Sequence, residues 1–370
     1  MTNVKKFLTV LVALLVPFAV AANAKADGET VSAKTTLSAK GGKFFKQVNV
    51  ASNVAIEAVV TPNPSSAVVN PTKNIKFTFP AGMTFRPNQN VCPDNKIGPS
   101  TNLSLGPRYM VNQCPKAVIG TGTAVIYLGK FKAAPLNDPV LIGFNAGRTS
   151  NGQPKLKIYG YSKQTTVGIL MNATLRGRVL DLAIPVLSSD SAVGEFKLEI
   201  PGPALNRPDL DINVRGLNQT YVQARCASSP LVSNAVFQMG QRDVSTGQPT
   251  SPTVTVNAPQ TTQACNGLAG RARLAQATVR GPKRMVRGRP GLFRIRVKNA
   301  GTATAKNVRV RVQGRGRGTA RTANIGPQKW RTFRVRARAI GRKGSVARMV
   351  FRVTANGTAI QRALRVRIVR

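Results

Sequence analysis

The chain has 370 residues, with 55 Lys and Arg against 12 Asp and Glu, a formal net charge of +43, and no histidine. Without histidine there is no Ser-His-Asp or Cys-His nucleophile pair, no imidazole general base and no histidine metal site. The roughly 345 residues beyond the first segment suffice for two or three domains with cores of their own.

Residues 1–26 read as a secretory signal. Lys5 and Lys6 form a positive start, Phe7 to Ala22 an apolar stretch, and Ala22-Asn23-Ala24 and Ala24-Lys25-Ala26 are small-x-small cleavage sites. The stretch is shorter than the roughly 20 apolar residues of a spanning helix, and Pro17 interrupts it. Cleavage is expected. No later apolar run is long enough for a stable membrane span, and no cysteine marks a lipoprotein site. The expected location is secreted or cell-surface associated.

Residues 27–266 read as a β-rich domain, in one unit or two lobes. Ile75 to Phe79 alternates cleanly and stops at Pro80-Ala81-Gly82. Ala117 to Leu128 predicts a strand kinked at Gly120 and Gly122. Val140 to Phe144 and Leu156 to Tyr161 predict a hairpin around Asn151-Gly152, with the Gly147 to Pro154 loop as one place where lobes could divide. Thr165 to Leu175 and Arg178 to Ile184 predict another hairpin, followed by strands at Phe196 to Ile200 and Leu210 to Val214. No segment shows sustained helical periodicity, and frequent Pro and Gly suit a sandwich or barrel. Ser245 to Pro252 reads as a polar loop, and residues 267–273 as a linker.

An exported chain meets oxidising conditions, so the four cysteines predict two disulfides. Of three connectivities, nearest-neighbour pairing, Cys92–Cys114 and Cys226–Cys265, is the one expected. No CxxC pair supports a metal site instead.

Residues 274–370 carry the strongest signal. From Arg271 onward there are 29 Lys and Arg and no Asp or Glu, whereas residues 25–270 carry 24 basic and 12 acidic groups. The cations alternate with apolar residues, as in Phe293-Arg294-Ile295-Arg296-Val297, Val308-Arg309-Val310-Arg311-Val312, Phe333-Arg334-Val335-Arg336 and Leu364-Arg365-Val366-Arg367-Ile368. A period of two places the Val, Ile and Phe inside and the guanidinium groups outside a folded β-sandwich.

From about Leu274 onward the layout resembles the CARDB and NEW3 group of bacterial Ig-like modules. The residues that carry the likeness run from Phe293-Arg294-Ile295-Arg296-Val297-Lys298-Asn299 through Ala300-Gly301-Thr302-Ala303-Thr304-Ala305 to Lys306-Asn307-Val308-Arg309-Val310. The likeness implies an Ig-like sandwich with an adhesive, spacer or carbohydrate-associated role on an exported protein. The extreme arginine content departs from a neutral spacer. The N-terminal region resembles uncharacterised exported β-proteins of GC-rich bacteria, a likeness that points to no particular activity.

Catalytic and metal candidates are weak. Asp181, Asp190, Glu195, Glu199, Asp209 and Asp211 could supply a glycosidase carboxylate pair, but Glu195 and Glu199 alternate with Phe196, Leu198 and Ile200 as the wet face of one strand. Asp209-Leu210-Asp211 imitates the start of a calcium loop, yet Val214 and Thr220 stand where Gly and Glu are required. No Ser-x-x-Lys occurs. Gly314-Arg315-Gly316-Arg317-Gly318 reads as a flexible hairpin tip.

The expectation is an all-β, exported, non-enzymatic envelope or matrix protein, with no cofactor. Arg294, Arg296, Arg309, Arg311, Arg334, Arg336, Arg365 and Arg367 would bind an anionic cell-wall polymer or polysaccharide, since the guanidinium fork matches phosphate and carboxylate. Two alternatives are a carbohydrate-active enzyme with an Ig-like accessory module and a nonspecific extracellular DNA binder. Few aromatics interleave with the tail's cations: only Phe293, Trp330, Phe333 and Phe351, with the phenylalanines reading as core.

Overall fold

The computed structural model describes residues 25–369 apart from 27, 66–68, 129–134, 186–190, 216, 218–219, 242, 244, 247, 249, 251 and 321. The signal segment, except Lys25 and Ala26, and Asp190 therefore lie outside the described residues. The protein is all-β, as the alternating patterns predict.

The first sheet contains Glu29–Ala39 (β1), Val50–Thr61 (β2), Thr72–Thr78 (β3), Val118–Tyr127 (β4), Val140–Arg148 (β5), Pro154–Ser162 (β6), Val167–Arg176 (β7), Val179–Ala183 (β8), Ala192–Ile200 (β9), Leu231–Met239 (β10) and Val254–Asn257 (β11). These pair antiparallel in the order β1-β2-β9-β4-β5-β6-β7-β8-β3-β10-β11. Residues Thr261–Gln263 add to β10, and the Gln263 amide accepts from Leu37 N at 2.8 Å and donates to Leu37 O at 2.7 Å. One side chain thus supplies both backbone partners and joins the far part of the sheet to β1. Inside lies one apolar core, with Phe77, Phe79, Phe196 and Phe237 all nearly inaccessible.

Two close approaches explain the glycines of β4. A Cβ at Gly122 would fall 1.9 Å from Lys197 O, and one at Gly120 would fall 2.7 Å from Glu199 O. The register shifts between Val118 and Gly120, the kink expected there. The Asn151-Gly152 turn joins β5 to β6, which pair directly in one sheet, so no division falls there.

Residues 86–117 depart from the all-strand expectation. They include a short helix, Gly106–Gln113 (α1), with Pro107 in its first turn, where a missing N–H costs nothing. α1 and its flanking loops cover the outer face of β5, which is why Val140–Gly147 is buried on both sides. Its nearly continuous apolar run, rather than an alternation, follows from that cover. The Cys92–Cys114 disulfide closes this segment, and Cys226–Cys265 ties the approach of β10 to the end of the first region. Leu210 also departs from expectation. It ends a single 3₁₀ turn, Pro208–Leu210, and Asp211 follows in the left-handed conformation before the strand resumes at Ile212.

The second sheet system shares no strand with the first. Its main strands are Leu274–Arg280 (β12), Arg284–Val286 (β13), Pro290–Asn299 (β14), Ala305–Gly314 (β15), Gly316–Thr319 (β16), Trp330–Ala339 (β17), Val346–Ala355 (β18) and Thr358–Val369 (β19), and a short strand, Ala323–Ile325, adds to β15. One layer runs β12-β14-β17-β16, and the other runs β15-β18-β19-β13, with β13 parallel to β19. This is an Ig-like sandwich. Its core holds Phe293, Phe333 and Phe351, as expected, with the Phe293 and Phe351 rings 5.1 Å apart.

The Gly314 to Gly318 stretch is a correction. It is a crossing between layers, not a free tip: β16 pairs with β15 in one layer and with β17 in the other. A Cβ at Gly316 would press on Met349 at 2.8 Å, and one at Gly318 on Arg336 O at 2.7 Å. The residues read as a linker are also held, since Leu268 N donates to Phe44 O and Lys46 N to Leu268 O.

Candidate polyanion-binding faces

Alternation around these positions on β14, β15, β17 and β19 sends Phe293, Ile295, Val310, Val335 and Val366 inward and every proposed arginine outward. The structure divides the eight between opposite faces. Arg294, Arg296, Arg334 and Arg336 lie on the outer face of the β12-β14-β17-β16 layer. Arg309, Arg311, Arg365 and Arg367 lie on the outer face of the other.

Register then sets which cations meet. On the first face Arg280, Arg294 and Arg334 occupy one row across three strands. Arg296 faces Thr332, and Arg336 faces exposed Leu292. Arg317 and Arg338 make a further pair. On the second face β15 and β19 are separated by β18, whose Arg352 faces Arg311 and whose Arg348 faces Arg365. Arg367 lies between Val346 and Arg284. Neighbouring strands run about 4.8 Å apart, so these rows are dense lines of positive charge.

The reading of residues alone missed Arg280, Arg284, Arg317, Arg338, Arg348 and Arg352. Arg348 and Arg352 were findable, because Ala347-Arg348-Met349-Val350-Phe351-Arg352 carries the same alternation, broken once by Val350. The direct oppositions required the register.

Trp330 provides an aromatic platform beside these rows. The Arg296 guanidinium carbon lies 4.5 Å from its ring centroid, and Lys298 Nζ lies 5.8 Å away. Two cations over one indole hold a planar donor array in a fixed place.

The acidic candidates are engaged elsewhere. Glu195 pairs with Lys197, and Glu199 accepts from Asn53 at 3.1 Å. Asp181 accepts from Asn74, Asp211 pairs with Arg108, and Asp209 lies 2.7 Å from Arg207. The Arg207 hydrogen bond holds the Asp209 carboxyl down at about 2. Among the described residues no group of three or more His, Cys, Asp or Glu could hold a metal ion, and no helix is long and apolar enough to cross a membrane.

Comparison with known proteins adds no family. No family model matches the chain, and no curated protein does. Among solved structures, a protein of unknown function from Porphyromonas gingivalis aligns over 63% of this chain and 93% of its own, at 12% identity and a TM-score of 0.20. A Salmonella alpha-2-macroglobulin variant aligns over 94% of this chain and 38% of its own, at 8% identity and a TM-score of 0.22.

Proposed function

We propose that this is an exported, non-enzymatic envelope or matrix protein whose Ig-like module binds anionic polymers through its two arginine faces. The observation that carries the reading is the register. Arg294 stands directly opposite Arg280 on one side and Arg334 on the other, as Arg311 does opposite Arg352 and Arg348 opposite Arg365, with no Asp or Glu in the module. Like charges so placed destabilise a sheet, and a polyanion laid across the rows removes that repulsion. It would also draw on guanidinium forks shaped for phosphate and carboxylate. A wall polymer, an acidic polysaccharide and DNA share this chemistry.

The test uses the purified full chain with wall teichoic polymer, acidic polysaccharide and duplex DNA between about 50 mM and about 200 mM salt. Binding should fall steeply with salt, and Arg294→Glu with Arg334→Glu should weaken it at least tenfold. A clear preference for wall polymer or polysaccharide over DNA supports an envelope role. Preference for DNA without sequence selectivity would replace it with the matrix DNA-binding alternative. No binding to any of the three would sink the proposal.

A further inference from the structure

The first region contains a cavity of about 230 Å³ that the arginine chemistry does not use. It lies on the inner face of the first sheet, and period-two stripes of two strands wall it. On β4 these are Ala124, Ile126 and Leu128 at its end; on β7 they are Val167, Ile169 and Met171. β4 pairs with β5, β5 with β6 and β6 with β7, each antiparallel, so the C-terminal end of β4 and the N-terminal end of β7 lie at the same edge. Both stripes therefore run from buried to exposed in one direction. Ala124 and Met171 are 6% and 3% exposed at the floor, where Phe196 closes the space, while Leu128 and Val167 are 38% and 44% exposed at the rim.

Three properties define what would fit. The first is size: an engineered cavity of about 150 Å³ lined by Leu, Ile and Phe stays dry and takes up benzene. This one is larger. The second is shape, because the four steps from Ala124 to Leu128, at about 3.3 Å each, give a stripe about 13 Å long, which suits a chain better than a ring. The third is polarity. No charged side chain lines the cavity, and the polar residues Ser162 and Thr165 lie on the β6–β7 turn at the rim. Ser162 donates to Asp138 at 2.8 Å, and Asp138 also accepts from the backbone N of Lys163 and Gln164. That carboxylate fixes the turn and its hydroxyls in place. Large apolar side chains left in water at the rim of an apolar slot also mark a surface made to be covered.

The geometry points to a binding site for a single alkyl or acyl chain of an amphiphile, tail inward against Phe196 and Met171 and polar head among the rim hydroxyls. The protein would thus carry a lipid-type ligand in its first region, independently of any polyanion on its second.

The experiment uses the full chain and dodecanol, an uncharged probe that the arginine faces cannot attract. Calorimetry should show saturable one-to-one binding with a negative heat-capacity change and no dependence on salt between about 50 mM and about 200 mM. Val167→Asp, at an exposed rim position, should leave the fold intact and weaken binding at least tenfold. Ile169→Trp should fill the slot and do the same. Absence of saturable dodecanol binding, or wild-type affinity in both folded variants, overturns the proposal. Transfer of a fluorescent acyl phosphatidylglycerol from vesicles to the protein would identify membrane lipid as the source. Uptake of dodecanoic acid without such transfer would identify a free amphiphile.

Discussion

The two regions of this chain fold by the same alternation and treat charge in opposite ways. In the first, acids answer bases: Asp94 lies 2.6 Å from Lys157 and 3.0 Å from Lys155, and Lys197 pairs with both Glu57 and Glu195. In the second, cations face cations across neighbouring strands and no acid answers them. Yet both regions fix a strand end with the same three residues. Asn145-Ala146-Gly147 lies among the last residues of β5, and Asn299-Ala300-Gly301 leads out of β14. Asn145 is inaccessible and donates to the carbonyls of Pro87, Gln89 and Asn90 while accepting from Gly147 N. Asn299, also inaccessible, donates to Ala303, Ile325 and Gly326 carbonyls and accepts from Arg273 and Gly301 N. Architecture is shared; surface is what differs. The regions can also be followed separately, because the single tryptophan, Trp330, lies in the second and all five tyrosines lie in the first.

The largest effects should come from the shared device. Asn299→Ala strands several buried backbone groups, at about 1–3 kcal/mol each, so a loss of about 3–5 kcal/mol is expected. Denaturant unfolding followed by Trp330 fluorescence should show the loss, and tyrosine signals should not move with it. Asn145→Ala should give the reverse pattern. If both signals shifted equally in each variant, the regions would unfold as one unit and the comparison would fail at the level of stability.

This device also shows how far the residues alone could lead. The alternation, the hairpins and the outward arginines were legible because side-chain period fixes face. The N-x-G turn at Asn299 was legible as a turn, but its role as a hub was not, since Ile325 and Gly326, a strand end and the residue after it, lie 26 and 27 residues away. α1 was missed because eight residues give too little periodicity to outweigh the surrounding strand pattern. The opposition of like charges, on which the candidate site rests, and the slot between β4 and β7 both depend on register and sheet order, which composition does not encode.

A middle-sized effect is expected at the buried cation of the first region. Lys157 is 1% exposed, its ammonium donating to Cys92 and Ile97 carbonyls and pairing with Asp94. Burial lowers the Lys157 pKa, whereas hydrogen bonds from Lys157 and Lys155 lower that of Asp94. Asp94 therefore contributes stability above its unfolded value of about 3.9, and that contribution is lost as pH falls through the lowered folded value. Lys157 acts at the other end: stability rises as pH climbs from its lowered value toward about 10.4, where the unfolded chain also loses its proton. Asp94→Asn should cost about 1–2 kcal/mol at neutral pH, reduced from the usual loss for a buried pair because Asp94 is well exposed. It should also flatten the acid limb of the tyrosine-monitored stability profile. An unchanged acid limb in the variant would remove Asp94 from the account.

The smallest effect bears most directly on function. Each pair of directly opposed arginines should cost the sandwich roughly 0.2–1 kcal/mol, and the repulsion should fade as the Debye length falls from about 30 Å at 0.01 M salt to about 3 Å at 1 M. Raising sodium chloride over that range should stabilise the Trp330-reported region more than the tyrosine-reported one, whose ion pairs weaken with the same screening. Arg352→Glu should reverse the sign locally, since a carboxylate facing Arg311 turns repulsion into attraction while the outward position leaves the core untouched. The variant should be slightly more stable than the parent in low salt and bind polyanions less well. That combination, stability gained and binding lost by one exposed substitution, separates a face arranged for an anionic partner from one whose arginines are indifferent to their neighbours. Equal salt response in the two regions would leave the second without the stored repulsion on which its proposed role depends.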